Sequence, residues 1–263
     1  MVKMPIVISF SNHKGGTGKT TSTVNIACAL RDKNKKVLVV DFDPQGNLSY
    51  SLGINDFTYD IVDWITGNAS DTESIIVTEG VHVLPSSISI LDKEDELKNT
   101  WNFRNLLKNK IQTLDYDYVL IDCPPTIGAF TQIALTASDY VIIPMLLEVL
   151  SIQGLSQIMK FIKEIKTTSN PQIEILGVLG VCVNESRRLT NEVLEFIDFT
   201  YKVDVFNNRV HNNVKAAEAP SFGKSVIDYA PQCQSAKDYI AVTDELLKKI
   251  SFSLKHKQEL QTN

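Results

Sequence analysis

The sequence predicts a single α/β domain in which helices cover both faces of a mostly parallel β-sheet. Short, continuously apolar runs alternate with segments whose apolar residues recur at helical spacing, which is typical of strand–helix–strand units. The runs show no polar alternation, so both faces of each strand should be buried. A chain of 263 residues without internal repeats or linkers is long enough to bury one central sheet.

The first strand–helix unit contains a glycine-rich turn. An apolar run at residues 6–10 leads into the sequence NHKGGTGKTT at residues 12–21, and a helical pattern follows. This is the setting of a phosphate-binding loop, in which backbone N–H groups and the helix N-terminus surround a polyphosphate. In such a loop Lys19 reaches the terminal phosphates and the Thr20 hydroxyl binds Mg²⁺. The complete Gly-Lys-Thr sequence makes a plain structural turn the less favoured interpretation.

Acidic residues follow two further apolar runs. The run that ends at Asp41 continues into DFDPQGN, and the run that ends at Asp122 continues into CPPT. In an open α/β sheet, the loops at the carboxyl ends of the strands border the ligand crevice. Asp41, Asp43 and Asp122 are therefore candidates for handling Mg²⁺ or water, and Asp122 fits the Walker B pattern of a magnesium-binding carboxylate. The residues alone do not decide whether Asp41 or Asp43 acts on water.

The remaining elements are predicted from periodicity and turn residues. Helices are predicted at residues 61–65, 88–97, 103–114, 155–165 and 189–199, and strands at residues 81–84, 140–144, 173–183 and 203–206. We place one domain over residues 1–263, with its core at about residues 5–250 and a polar tail at residues 251–263.

Composition limits the possible partners and locations. The net charge of −5 gives no global basic field, so any contact with DNA must come from a local patch. The four cysteines form no Cys-x-x-Cys pair, and three of them lie in apolar surroundings, which predicts buried free thiols in a reducing cytoplasm. No signal peptide precedes the first strand, and no apolar run reaches the length of a membrane span, so we expect a soluble intracellular protein.

The glycine-rich turn departs from the common Walker A pattern. His13 stands where glycine is usual, and a second lysine, Lys14, lies five residues before Lys19. This form resembles the deviant Walker A loop of the ParA/MinD superfamily of ATPases. The sequences DFDPQGN, DCPP and NVKAAEAPSFGK resemble further motifs of ParA/Soj-type partition ATPases, in the family's order and over roughly residues 5–250. The resemblance implies a P-loop NTPase fold.

The resemblance also implies a function. Members of the ParA/Soj family bind ATP and Mg²⁺, form a nucleotide sandwich dimer, and bind DNA without sequence preference. A ParB-type centromere-binding partner then stimulates ATP hydrolysis, which moves plasmid or chromosome cargo. A cytoplasmic, nucleoid-associated homodimer that does not bind membranes is therefore expected.

Two relatives of that superfamily offer alternatives. A MinD-like membrane-positioning ATPase would need a C-terminal amphipathic helix with a basic polar face, whereas residues 251–263 include only three apolar residues. Relatives that transfer electrons or assemble clusters would need cysteines placed to bridge a cluster, and Cys123 has no partner at a suggestive spacing.

The family pattern assigns roles to individual residues. Lys14 is expected to reach the partner's nucleotide across the dimer interface, as an arginine finger does, and Asp43 is expected to orient the attacking water. The implied catalytic residues are thus Lys14, Lys19 and Asp43, and the implied metal ligands are Thr20, Asp41 and Asp122. The implied nucleotide-binding residues are Lys14, Gly15, Gly16, Thr17, Gly18, Lys19, Thr20 and Thr21, with Asn184 and Asn213 as candidates for the adenine.

DNA binding in this family uses basic side chains of the C-terminal part. The candidates here are Arg187, Arg188, Arg209, Lys215 and Lys224. Residues 184–224 contain six Lys or Arg and six Asp or Glu, so a basic surface requires these side chains to lie on one face. Two such patches in a dimer would bind DNA, whereas the single patch of a monomer would bind it too weakly.

Overall fold

A seven-stranded β-sheet forms the centre of the molecule in the computed structural model, which describes residues 4–183 and 188–262. Within those residues the strand order is β3-β4-β2-β5-β1-β6-β7, and all neighbours are parallel except β3 and β4. The strands are β1 (Ile6–Phe10), β2 (Val37–Asp41), β3 (Ile76–Thr78), β4 (Val81–Leu84), β5 (Tyr118–Asp122), β6 (Tyr140–Leu146) and β7 (Glu174–Val181). The predicted fold class is confirmed.

Helices connect the strands and cover the sheet. They are α1 (Lys19–Asp32), α2 (Asn47–Ser51), α3 (Ile61–Thr66), α4 (Asp71–Ser74), α5 (Glu94–Asn99), α6 (Leu106–Ile111), α7 (Ala129–Ala137), α8 (Ser151–Thr168), α9 (Arg188–Tyr201), α10 (Val214–Glu218), α11 (Val226–Tyr229) and α12 (Gln234–Thr262). Short 3₁₀ helices lie at Ile88–Leu91, Phe103–Asn105 and Ala219–Phe222. Among the helices of the described ranges, none is long and apolar enough to cross a membrane.

Alternate residues of the central strands pack into different hydrophobic clusters. Val39 and Leu120 belong to the cluster formed with α1 and α12, whereas Val40 and Ile121 belong to the cluster formed with α3, α6 and α7. Successive side chains of a strand point to opposite faces, so both faces of this sheet are covered. This arrangement explains why the strands are unbroken apolar runs in the sequence.

Some predicted elements differ from the observed ones. The helix predicted at residues 88–97 is a 3₁₀ turn followed by α5, and the break lies where the Lys93 ammonium turns to bind Asp60 and Asp63 at 2.8 and 2.7 Å. The helix predicted at residues 103–114 starts as a 3₁₀ turn and ends at Ile111.

The predicted strand at residues 203–206 is wrong, because the segment forms only an isolated bridge between Val205 and Val178 of β7. The C-terminal tail, predicted only as polar, continues α12 to Thr262. Cys28 and Cys123 are buried free thiols as predicted, whereas Cys233 is half-buried and Cys182 is exposed.

The turn between β2 and α2 depends on Gly46. This residue has a left-handed backbone with φ of 61°, and a Cβ added to it would lie 2.7 Å from the carbonyl oxygen of Ser86. Gly46→Ala should therefore lower the free energy of unfolding by about 2–3 kcal/mol, through backbone strain and the steric contact together. Chemical denaturation measures the effect.

Gly67→Ala is the matched control for this prediction. Gly67 also has a left-handed backbone, with φ of 84°, but an added Cβ would meet no atom within 4 Å. This variant should lower the free energy of unfolding through backbone strain alone, by about 1 kcal/mol. Equal losses in the two variants would contradict the role assigned to the Ser86 contact.

Candidate nucleotide-binding site

Three neighbouring strands end at one level of the sheet. Phe10 at the end of β1 pairs in register with Asp122 at the end of β5, and Asp122 pairs with Asp41 at the end of β2. The loops that follow these strands therefore leave the sheet side by side. The structure thus brings the predicted phosphate-binding loop and the predicted acids to one edge, as expected for the ligand crevice of an α/β fold.

The phosphate-binding loop, residues 11–18, is closed by hydrogen bonds to one of its own carbonyl groups. The carbonyl oxygen of Lys14 accepts from Lys19 Nζ at 3.3 Å and from the Thr17 hydroxyl at 3.2 Å. Gly16 and Gly18 have φ of 70° and 75°, conformations that favour glycine. No atom lies within 4 Å of a Cβ built on Gly16, so the loop presents backbone to open space.

Lys19 is the first residue of α1, and only 6% of it is exposed. Burial lowers the pKa of its ammonium group, and the neighbouring carboxyl groups of Asp122 and Asp43 oppose this shift. A buried ammonium group at a helix N-terminus is an unfavourable arrangement unless anions compensate for it. A bound polyphosphate would supply that compensation.

Thr20 and Asp122 form a hydroxyl–carboxylate pair below the loop. The Thr20 hydroxyl donates to Asp122 Oδ2 at 2.6 Å. The other oxygen, Oδ1, is buried and has no hydrogen-bond partner among the described residues. Burial, followed by the charge of Asp41, raises the pKa of Asp122 well above its usual range.

This pair fits a divalent cation. Mg²⁺ prefers hard oxygen ligands and commonly takes one or two from the protein, with phosphate and water oxygens completing its shell. The described ranges contain no group of three or more His, Cys, Asp or Glu side chains arranged to hold a metal ion. The protein side of the site would therefore consist of Thr20 and Asp122, with the remaining ligands supplied by phosphates and water.

Asp41 is fully buried and holds α2 against the end of β2. Its Oδ2 accepts from the backbone N–H and hydroxyl of Ser49 at 3.0 and 2.8 Å, and its Oδ1 accepts from the Asp43 N–H at 3.1 Å. Burial raises the pKa of Asp41 to about 7, although these hydrogen bonds oppose the shift. Both oxygens are thus engaged by protein donors, which places Asp41 behind the cavity wall.

Asp43 contributes to the wall of a cavity of about 580 Å³, a volume typical of small-molecule sites. Its Oδ1 accepts from the backbone N–H of Gln45 at 3.0 Å, which fixes the side chain within its loop. The cavity is lined by Gly15, Gly16, Thr17, Gly18, Lys19, Thr20, Thr21, Asp43, Gln45, Asn47, Tyr50, Ser51, Pro125, Ala217, Pro220 and Ser221.

Part of this lining could not be predicted from the sequence. Tyr50 and Ser51 of α2 carry no recognisable signal, because only the packing of α2 brings them to the cavity. Ala217, Pro220 and Ser221 belong to the sequence NVKAAEAPSFGK, which marked the region without identifying them as cavity residues.

Comparisons with known proteins agree with this geometry. A family model described as an AAA domain matches residues 6–175, which include the phosphate-binding loop and all three acids. Sporulation initiation inhibitor protein Soj of Bacillus subtilis is 35% identical over 246 residues, covering 91% of this chain and 97% of Soj. Chromosome partitioning protein ParA of Myxococcus xanthus is 35% identical over 249 residues, covering 92% of this chain and 88% of that protein. The chain belongs to the ParA/Soj family.

The fold of this ParA/Soj protein also matches a nucleotide-bound structure. Cobyrinic acid a,c-diamide synthase from Mycobacterium smegmatis, solved with bound ADP and magnesium, superposes with a TM-score of 0.83 at 27% identity. The alignment covers 94% of this chain and 96% of the synthase. The P-loop NTPase fold is therefore shared over nearly the whole chain.

Lys14, the residue that marks the ParA/Soj loop, does not line the cavity. Its backbone N–H donates to Asn12 Oδ1 at 3.1 Å, and Asn12 Nδ2 donates to the carbonyl oxygen of Pro144 at 2.8 Å. Its ammonium group donates to the hydroxyl of Ser151, the first residue of α8, at 3.4 Å. The side chain therefore lies along α8, outside the cavity of its own protomer.

The residues predicted to bind adenine or DNA lie in different structural environments. Asn213 caps the N-terminus of α10 by accepting from the Lys215 N–H at 2.9 Å, and it does not line the cavity. Lys215 binds Glu218 at 2.8 Å and lies over the ring of Tyr229. Arg209 is half-buried.

Lys224 is exposed, and Arg188 is the first residue of α9. Asn184 and Arg187 lie outside the described residues, as does the side chain of Arg188. The assignment of a DNA-binding face to this region remains a prediction.

Proposed function

We propose that this ParA/Soj-family protein is a Mg²⁺-ATP-dependent ATPase that dimerises on ATP and binds DNA non-specifically as the dimer. With a ParB-type partner it would partition plasmid or chromosome DNA on the nucleoid. The observation that carries the proposal is the Thr20–Asp122 pair at 2.6 Å below a glycine-rich loop that faces an open cavity. Such a pair is the protein half of a Mg²⁺-nucleotide site.

The residues divide the chemistry among themselves. Backbone N–H groups of Gly15–Gly18 and of the start of α1 would bind the phosphates. Lys19 would neutralise the charge of the phosphates, and Thr21 lies at the cavity wall beside them. Thr20 and Asp122 would hold Mg²⁺, which when bound offsets the negative charge on the phosphates. Asp43 would orient the attacking water, and Asp41 would keep the Asp43 loop in position through its hydrogen bond to the Asp43 N–H.

Lys14 is proposed to act in the partner's site. Its ammonium group donates to Ser151 and lies outside the cavity of its own protomer. It is therefore available to a second protomer placed against the N-terminal end of α8. A cation supplied in trans would stabilise charge on the transferring phosphoryl group.

Lys14→Ala should lower ATP hydrolysis by about 10³-fold or more and should abolish ATP-dependent DNA binding, because a cation supplied in trans contributes on that scale. Steady-state phosphate release and DNA retention measure the two effects. Lys163→Ala, which removes a lysine from the exposed side of α8, is the control and should behave like the wild type. Normal stimulation by DNA in Lys14→Ala would contradict the role in trans.

DNA binding provides the direct test of the proposed function. Binding of random duplex DNA is measured with ATP, with ADP and without nucleotide, over a series of salt concentrations. We expect binding only with ATP, and a steep salt dependence, because each phosphate contact adds about one unit to the slope. DNA binding that does not depend on the nucleotide, or no DNA binding at any salt concentration, would contradict the proposal.

A MinD-like, membrane-associated ATPase is the second candidate. The helical end of α12 and the exposed Phe252 favour it. Against it, Ser253 bonds to the Tyr140 hydroxyl and the Glu174 carboxylate at 3.0 and 2.9 Å, and Lys257 binds Glu174 at 3.1 Å. These contacts pack the end of the helix against the sheet. ATP-dependent co-sedimentation with anionic liposomes would favour the MinD-like function.

A further inference from the structure

A second cavity lies at the outer edge of the sheet. Its volume is about 500 Å³, within the range of small-molecule sites, and its walls come from α8, from the start of β7 and from residues 201–204. Among the described residues, it shares no lining residue with the nucleotide cavity. The parallel strand β7 begins beside it, whereas the nucleotide cavity lies at the carboxyl ends of the strands. The two cavities are therefore at opposite ends of the sheet.

The second cavity forms where two chain segments separate. β7 is the last strand of the sheet, and Val178 bonds through its N–H to the Asp204 carbonyl oxygen at 2.8 Å and through its carbonyl oxygen to the Phe206 N–H at 2.9 Å. Closer to its start, β7 contains an extra residue, Leu176, that interrupts its pairing with β6. On the other segment, Lys202 has a left-handed backbone with φ of 49°. A bulge bends its strand and a left-handed residue redirects the chain, so a gap opens beside the start of β7.

The floor of the second cavity is apolar. Ile162, Ile173 and Val203 are buried in the hydrophobic cluster that α8 forms with β6 and β7, and Met159 and Ile175 pack against this cluster while half-buried. Methionine adapts its shape to a neighbouring chain. A small inorganic ion would leave this floor uncovered, so the floor indicates a ligand with an apolar body.

Three lysines surround this apolar floor. Lys163 and Lys166 lie three residues apart on α8, and therefore on one side of that helix, and Lys202 belongs to the other wall. None of the three forms an ion pair with a residue that the structure describes. In a chain with a net charge of −5, these unpaired cations form a local basic site that attracts anions.

Two acids also line the second cavity, but both are engaged from outside it. The Glu174 carboxylate accepts from the Ser253 hydroxyl at 2.9 Å and pairs with Lys257 at 3.1 Å. Asp204 pairs with Lys249 at 3.1 Å. These partners belong to α12, which supplies no residue to the described lining. The lysines of the cavity are therefore left to a ligand.

We propose that the second cavity binds a small amphipathic anion, a carboxylate on an aliphatic chain. The carboxylate would pair with Lys163, Lys166 and Lys202, and the chain would cover the apolar floor. An exposed ion pair contributes little by itself, so binding requires the head and the chain together. DNA fits less well, because its phosphates would meet the lysines and leave the floor uncovered. The proposal is independent of the proposed ATPase function, since this binding needs no nucleotide.

The test uses the full chain without nucleotide, and decanoate is the probe. Isothermal titration calorimetry measures the affinity, and NMR of methyl-labelled methionine locates the site, because Met159 lines the cavity and is one of four methionines. We expect saturable binding at one site and a shift of the Met159 methyl resonance. Acetate has the head without the chain, and decan-1-ol has the chain without the charge. Each should bind at least about tenfold more weakly than decanoate.

Reversing the charge of the rim tests the head-group contact. Lys163→Glu/Lys166→Glu should weaken decanoate at least about tenfold, because repulsion replaces attraction. ATP hydrolysis should stay at the wild-type level, since neither lysine lines the nucleotide cavity. Lys237→Glu/Lys255→Glu makes the same change in charge at exposed positions on α12 and should bind decanoate like the wild type.

Filling the cavity tests the chain contact without changing the charge. Met159→Trp places a larger side chain on the floor and should abolish the saturable binding of decanoate. Gln157→Trp adds the same ring at an exposed position of α8 and is the matched control. Thermal unfolding establishes that both variants are folded.

Other outcomes overturn the proposal. Absence of saturable decanoate binding, or equal affinity for decanoate and decan-1-ol, would remove the site or the role of its lysines. Equal losses of affinity in the variants and their controls would show nonspecific attraction. Loss of ATP-dependent DNA binding in Lys163→Glu/Lys166→Glu, with wild-type decanoate affinity, would assign these lysines to a DNA-binding face. Lysine-dependent binding to phosphatidylglycerol vesicles without decanoate binding would assign them to a membrane contact.

Discussion

Lys19→Ala is expected to abolish ATP binding while the protein remains folded. Among the cavity-lining residues that the structure describes, Lys19 is the one lysine or arginine, and its ammonium group is buried beside the loop backbone. Losing a charge-assisted contact to the phosphates should weaken binding by at least about 100-fold, or about 2.7 kcal/mol. Isothermal titration calorimetry with Mg²⁺-ATP measures the loss.

The control for this prediction is Lys255→Ala, which removes an exposed lysine from the end of α12. This variant should bind ATP like the wild type. Circular dichroism and thermal unfolding would establish that Lys19→Ala is folded, because removing a buried charge also removes its cost of desolvation. Wild-type affinity in a folded Lys19→Ala protein would contradict the phosphate-binding role of the loop.

Asp43→Ala is expected to separate ATP binding from hydrolysis. The variant keeps Lys19, Thr20 and Asp122, so it should bind ATP and dimerise. Without the carboxylate that orients water, hydrolysis should fall by about 10²–10⁴-fold. The DNA-bound dimer should then accumulate. Its off-rate from a DNA-coated surface, measured in the presence of ATP, should be slower than that of the wild type.

A second variant tests whether charge or loop structure is responsible. Asp43→Asn keeps an oxygen that can accept from the Gln45 N–H, a bond of 3.0 Å in the wild type. If the carboxylate acts on water, Asp43→Asn should lose hydrolysis as fully as Asp43→Ala does. Normal turnover in either variant would remove Asp43 from the mechanism.

Most of the sheet could be predicted because its strands are buried on both faces. Val37–Asp41 and Tyr118–Asp122 are short, unbroken apolar runs that end in an acid, as expected of strands buried on both faces. The strand Ile76–Thr78 was missed because it is a three-residue, partly exposed strand at the antiparallel edge. The segment at residues 203–206 looked like a strand because Val203 and Phe206 are core residues, although only Val205 forms a bridge.

The phosphate side of the site could be predicted because its residues are consecutive. The opposite wall could not, because it depends on the packing of α2 against the 3₁₀ helix that contains Ser221. Gly53 and Gly223 meet at that contact so closely that a Cβ on Gly223 would lie 2.8 Å from the Cα of Gly53. Asn213 did carry a local signal, since asparagine before a helix is a common N-cap, and it serves as one here.

The pairing of Phe10, Asp122 and Asp41 across β1, β5 and β2 also limits how the chain can change in length. Inserting or deleting one residue within Tyr118–Asp122 would turn the Asp122 carboxylate to the opposite face of the sheet, away from Thr20. The exposed turn at residues 67–68, between α3 and α4, lies outside the sheet, carries no such register and should accept extra residues. Evolution of this site is therefore expected to conserve the lengths of three strands while the loops between them grow or shrink.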